Sequence, residues 1–124
     1  MAKFGATGTD KALPRAKHFT IESPTNTEDL TLFFTDEALV ITKIVAVLNG
    51  SSTPSVTWTL RHDADRNATG TEVVTSGSTT TNTTTGHTIT SFNAASIPSN
   101  SWVWLETTAK SGTVDKIHLS VFYD

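Results

Sequence analysis

The chain has 124 residues, a formal net charge of −3 and no cysteine. That length fits one domain with a single core, burying roughly two thirds of the unfolded chain's surface without cross-links. Without cysteine there is no thiol catalysis, thiolate metal site or disulfide framework in this sequence, which is unlike an ordinary secreted domain.

The first segment, "MAKFGATGTDKALPRAKH", carries Lys3, Lys11, Arg15 and Lys17 against Asp10 alone, so the remainder is distinctly acidic. It holds no apolar run followed by a small-residue cleavage site, and no stretch of the chain approaches the roughly 20 apolar residues of a membrane span. The expectation is synthesis in a cytoplasm and no membrane partner. A nucleic-acid reader would need a folded basic face with interleaved aromatics, which this sequence lacks. Residues 1–17 therefore read as an extended basic arm, either a solvated tail or a segment that docks on an acidic protein surface, and residues 18–124 as the folded domain.

Short strand patterns then follow in order. "HFTIES" alternates Phe19 and Ile21 with polar residues, and "DLTLFFT" places Leu30, Leu32 and Phe34 on one face. In "TDEALVITKIVAVL" the β-branched run Val40, Ile41, Thr42, Ile44, Val45 and Val47 favours a central strand covered on both sides over a helix. "SVTWTLRH" turns Val56, Trp58 and Leu60 inward, and "TEVVTS", "HTITSF", "SWVWLETT" and "KIHLSVFYD" complete about eight strands. Between them, "ESPTNTED", "NGSSTPS", "DADRNATG", "NAASIPSNS" and "AKSGTVD" supply turn residues. The pattern predicts an all-β fold, an antiparallel β-sandwich, jelly-roll-like, with the extended amino-terminal arm outside it.

The run "TSGSTTTNTTTGHT" has no proline, which argues against a mucin-like stalk. Bracketed by Val73, Val74, Ile89 and Phe92, it reads as a threonine-lined surface hairpin, with disorder at its tip around 79–85 as the alternative.

Chemistry-bearing patterns are weak. Asp63, Asp65 and Asn67 alternate as in a calcium loop, but Ala68 and Val74 stand where such a loop has glycine and glutamate, so an Asx-rich connection is the plainer reading. His18, His62, His87 and His118 are scattered without metal-ligand spacing, and no serine elbow or assignable carboxylate pair marks an enzyme. No catalytic residue, metal or cofactor is expected. The sequons at Asn49, Asn67 and Asn82 are read as products of composition. The aromatics say more. Trp102 and Trp104 share one face of a strand whose other face is also apolar, so they meet core, a neighbouring subunit or a sugar ring. The last strand turns Ile117, Leu119, Val121 and Tyr123 inward and Phe122 outward. Trp102, Trp104, Phe122 and Tyr123 are the candidate oligomer interface.

The stretches "LFFTDEALVITKIVAVLNGSSTPSVTWTLRHDADRNATGTEVVT" and "SIPSNSWVWLETTAKSGTVDKIHLSVFYD" resemble small β-sandwich virion proteins encoded by tailed bacteriophages and prophages. The resemblance runs from about Ile21 to Tyr123 and consists of a strand pattern without a catalytic motif. It implies a virion surface protein without an active site, assembled in the host cytoplasm. One form is a capsid decoration (cement) protein, a homotrimer whose partner is the major capsid protein. In that form Lys3, Lys11, Arg15 and Lys17 would dock onto the shell. The other is a tail-associated carbohydrate- or receptor-binding module with Trp102, Trp104 or Tyr123 as stacking platforms.

Overall fold

The computed structural model describes residues 15–74 and 77–124. Eight strands and no helix occur among them: β1 (Arg15–Glu22), β2 (Asp29–Thr35), β3 (Leu39–Asp63), β4 (Thr71–Glu72), β5 (Ser78–Thr80), β6 (His87–Ile89), β7 (Ser96–Ile97) and β8 (Ser101–Tyr123).

The organising element is a long antiparallel ribbon. β3 and β8 stay paired from Ile41 opposite Tyr123 to Asp63 opposite Trp102. β1 pairs with the carboxy-terminal half of β8, and β2 with its amino-terminal half. Along the other edge, β6 and β7 pair with the first half of β3, and β4 and β5 with its second half. Every pairing is antiparallel, in one continuous sheet folded on itself. Strands that bend to pass from one layer to the other are the corner device of packed sheets.

The fold point explains a departure from the sequence reading. "NGSSTPS" and "AKSGTVD" are the bends inside β3 and β8, where pairing resumes from Ser51 opposite Thr113 to Ser55 opposite Ser111. Ser52 and Thr53 take φ of 58° and 53° there, and Gly112 takes 70°. A Cβ on Gly112 would lie 2.5 Å from the Thr53 carbonyl oxygen, so only glycine lets the two bends nest.

The core lies between the two layers. From the first half come Ile41, Ile44, Ala46 and Leu48, with Ile117, Leu119 and Val121. From the second come Val56, Trp58 and Leu60, with Val103 and Leu105. Phe19 of β1 stacks on Phe33 of β2 at 5.8 Å between ring centres, closing one side. The inward sets expected for "SVTWTLRH" and for Ile117, Leu119 and Val121 are those found. The outer face of β3 is less covered than expected: Val45 and Val47 are half-buried and Val40 is exposed.

The threonine run is folded but is no hairpin. β5 pairs with residues 56–58 of β3 and β6 with residues 44–46, so the segment follows one edge of β3 from the second layer to the first. Thr57 and Thr79 share a hydroxyl hydrogen bond of 2.7 Å, while buried Thr80 accepts the Trp58 indole N–H at 2.9 Å. Asn82 holds the crossing: its side-chain oxygen accepts the backbone N–H groups of Thr84, Thr85 and Gly86, and its carbonyl accepts that of Leu48. Thr75 and Ser76 lie outside the described residues.

Candidate docking surface

The two ends of the sandwich differ. One is closed by the bends in β3 and β8. The other gathers strand ends: the start of β1, the β2–β3 turn, the end of β3 and both ends of β8. Large exposed apolar side chains collect toward this open end, namely Phe34, Trp102 and Val40.

Phe34 faces out because β2 is bulged. The register shifts between Thr31 and Phe33, so Leu32 and Phe33 both pack against the core and Phe34 is thrown to the opposite face. This overturns the expectation that Leu30, Leu32 and Phe34 share a face. An extra residue inverts the alternation beyond it. Phe34 then meets Trp102 of β8 with ring centres 4.9 Å apart, tilted by 59°. The two are 45% and 37% exposed, an aromatic pair open to a partner.

Trp104, one step further along the same face, reaches no surface. The chain between β3 and β4, residues 64–70, folds over it. A Cβ on Gly70 would lie 2.6 Å from the Trp104 ring, and the Arg66 guanidinium carbon sits 4.4 Å from a Trp104 ring centre. Arg66 continues across to β2, donating to Asp29 Oδ1 at 2.6 Å and Thr31 Oγ1 at 2.7 Å. The Trp104 indole N–H donates to Glu106. Expected at an interface together with Trp102, Trp104 is covered within its own chain. The charged loop is the cover: Asp63 and Asp65 carboxylates accept the amides of Asp65 and Asn67 and shape its turns.

Tyr123 and Phe122 sit at the end of β8, half-buried. Arg15 and Lys17 lie over the Tyr123 ring, 4.9 and 5.7 Å from its centre, and Lys43 lies 4.5 Å from that of Phe122. β1 already begins at Arg15, so Arg15 and Lys17 belong to the sandwich and not to an arm ending at residue 17. Cross-strand pairing explains the difference: Arg15 lies opposite Tyr123 and Lys17 opposite Val121. Lys3 and Lys11 lie outside the described residues. A pocket of about 150 Å³ opens here, lined by Arg15, Lys17, Phe34 and Tyr123 together with Asp36 and Glu37 of the β2–β3 turn. Arg15 pairs loosely with Glu37 at 3.7 Å.

Of the histidines, His18 and His118 lie on β1 and β8 and bond to Ser120 and to Thr20 and Asn49, while His87 on β6 bonds to Thr80. His62 differs. It extends the inward series Val56, Trp58, Leu60 and is buried at 6% exposure, a place in the core that the scattered spacing of the histidines did not reveal. The two-residue alternation carried one step further would have found it.

No protein family matches the chain, and no curated protein matches it. Among solved structures, a chain of the "Structure of infectious bursal disease virus Gx strain" aligns at 19% identity with a TM-score of 0.38. The alignment covers 96% of this chain and 36% of that one. A likeness at that level bears on neither the fold nor the function of this chain.

Proposed function

We propose that the protein is a structural virion protein that decorates the outside of a tailed-phage head as a homo-oligomer, a trimer in the simplest arrangement, and stabilises the shell. It acts as a cement without catalysis, and its partners are its own copies and the major capsid protein. The observation that carries this reading is the Phe34–Trp102 pair, solvent-facing at the open end where the basic first segment enters the sandwich. Paired aromatics beside cations are the composition of a protein-docking surface. The resemblance of the strand pattern to small virion β-sandwich proteins supports a virion role.

Light scattering across a range of protein concentrations tests the assembly. A concentration-independent trimer that dissociates on Phe34→Ser with Trp102→Ser supports the reading, and a monomer throughout removes the three-fold arrangement.

A second reading, a tail-associated glycan-binding module, is favoured by the exposure of Trp102. A host glycan that protects Trp102 from iodide quenching would select it over the cement reading.

A further inference from the structure

We infer that His62 is an acid-operated latch for the open end of the sandwich, holding the end of β3 and the chain over Trp104 closed while neutral and releasing them when protonated.

His62 occupies an inward site at the end of β3, opposite Thr71 of β4 and Val103 of β8. Its Nε2 is buried without a hydrogen-bond partner among the described residues. A neutral imidazole tolerates this, because an unprotonated ring nitrogen loses one accepted hydrogen bond. A protonated ring does not, since both nitrogens must then donate and the charge must be solvated.

The charged groups around it offer little relief. Arg61, next to His62 on β3, and Glu72 on the neighbouring β4 pair with each other at 3.8 Å, and Arg61 also holds Glu106 on β8 at 3.0 Å. Asp63 is the nearby carboxylate that would attract the proton, and its Oδ1 already accepts the Asp65 amide. The segments facing His62 across the adjoining cavity contribute the uncharged Pro98, Ser99 and Ser101. Burial therefore outweighs Asp63 and holds the imidazole below its ordinary value of 6.5.

The surrounding elements decide where the strain is released. β4 and β7, which border the open end of β3, are each two residues long, and the chain leaves the sheet directly after Asp63. Short pairings open at lower free energy than the long β3–β8 ribbon. Opening there also frees residues 64–70, and with them Arg66 and Gly70 from the face of Trp104.

The direction with pH follows from linkage. Closed, burial holds the His62 imidazole below its ordinary value of 6.5; open, it returns to that value. Stability of the closed end is complete above that value and falls as pH drops below it. Between pH 7.5 and 5.5 the open fraction rises by up to about tenfold, the limit for an imidazole that takes its proton only in the open state.

The test is amide hydrogen exchange of the full chain at pH 7.5 and 5.5, corrected for the intrinsic pH dependence of exchange. Faster opening, by up to about tenfold, is expected at His62, Thr71 and Val103, with residues 48–56 and 109–115 at the bends unchanged. His62→Phe removes the acid response by filling the site, and His62→Gln removes it while keeping a polar side chain, so the test survives if either variant folds poorly. An acid response persisting in the folded variants, or one spread equally over both ends, overturns the latch.

Discussion

The Arg66 guanidinium carbon sits 4.4 Å from a Trp104 ring centre while the same side chain donates to Asp29 and Thr31 of β2. One residue thus binds the chain leaving β3 to both β8 and β2 and turns an outward tryptophan into an interior one. Arg66→Ala should unmask Trp104 to iodide quenching and lower stability by about 1–2 kcal/mol in urea unfolding. Cation–π contact and stem packing supply most of that, since Asp29 is largely exposed and its ion pair is screened. Quenching confined to Trp102 in this variant would contradict the covering role.

Gly70 sits against the same ring. Its φ is +82° and a Cβ would sit 2.6 Å from two Trp104 ring carbons. Gly70→Ala combines a disfavoured backbone with overpacking, and a loss of about 2–3 kcal/mol is expected from chemical denaturation. A neutral substitution would mean that residues 64–70 do not press on Trp104.

The threonine run has its own anchor in Thr80, whose hydroxyl accepts the Trp58 indole N–H inside the core. Thr80→Val keeps the shape and leaves that donor unpaired, for an expected loss of about 1–3 kcal/mol. Thr80→Ser retains the acceptor and should cost less. A near-neutral Thr80→Val beside a larger loss in Thr80→Ser would show that packing of the methyl group, and not the hydrogen bond, fixes the run.

Phe34 and Trp102 should behave in the opposite way. Both are exposed, so Phe34→Ser and Trp102→Ser are expected to change unfolding free energy by about 0.5 kcal/mol or less each, the scale of ordinary surface substitutions. Their effect should appear in assembly and docking. Marked unfolding of either variant would make the pair a structural element and remove it as a docking surface.

Alternation alone made much of the fold legible. Val56, Trp58 and Leu60, and Ile117, Leu119 and Val121, point inward as a two-residue period requires. What escaped it were departures from the period. A bulge between Thr31 and Phe33 sends Phe34 outward, and nothing in "DLTLFFT" distinguishes a bulged from a regular strand. The bends at Gly50–Pro54 and Ser111–Thr113 carry turn residues, so one bent strand reads as two. Trp104 showed apolarity on an outward face, but covering it depends on Arg66 and Gly70, whose loop reads locally as an acidic turn. The exposed aromatic pair was half visible: Trp102 stood out by its residue type, whereas Phe34 needed the bulge.

Co-sedimentation with purified phage heads assembled without this protein tests whether the chain cements a capsid, comparing the wild-type chain with Phe34→Ser/Trp102→Ser. Saturable binding of the wild type that raises the temperature at which the heads rupture is expected, with loss of both effects in the variant. Wild-type protein that stays in the supernatant, with heads no more heat-resistant in its presence, would contradict it.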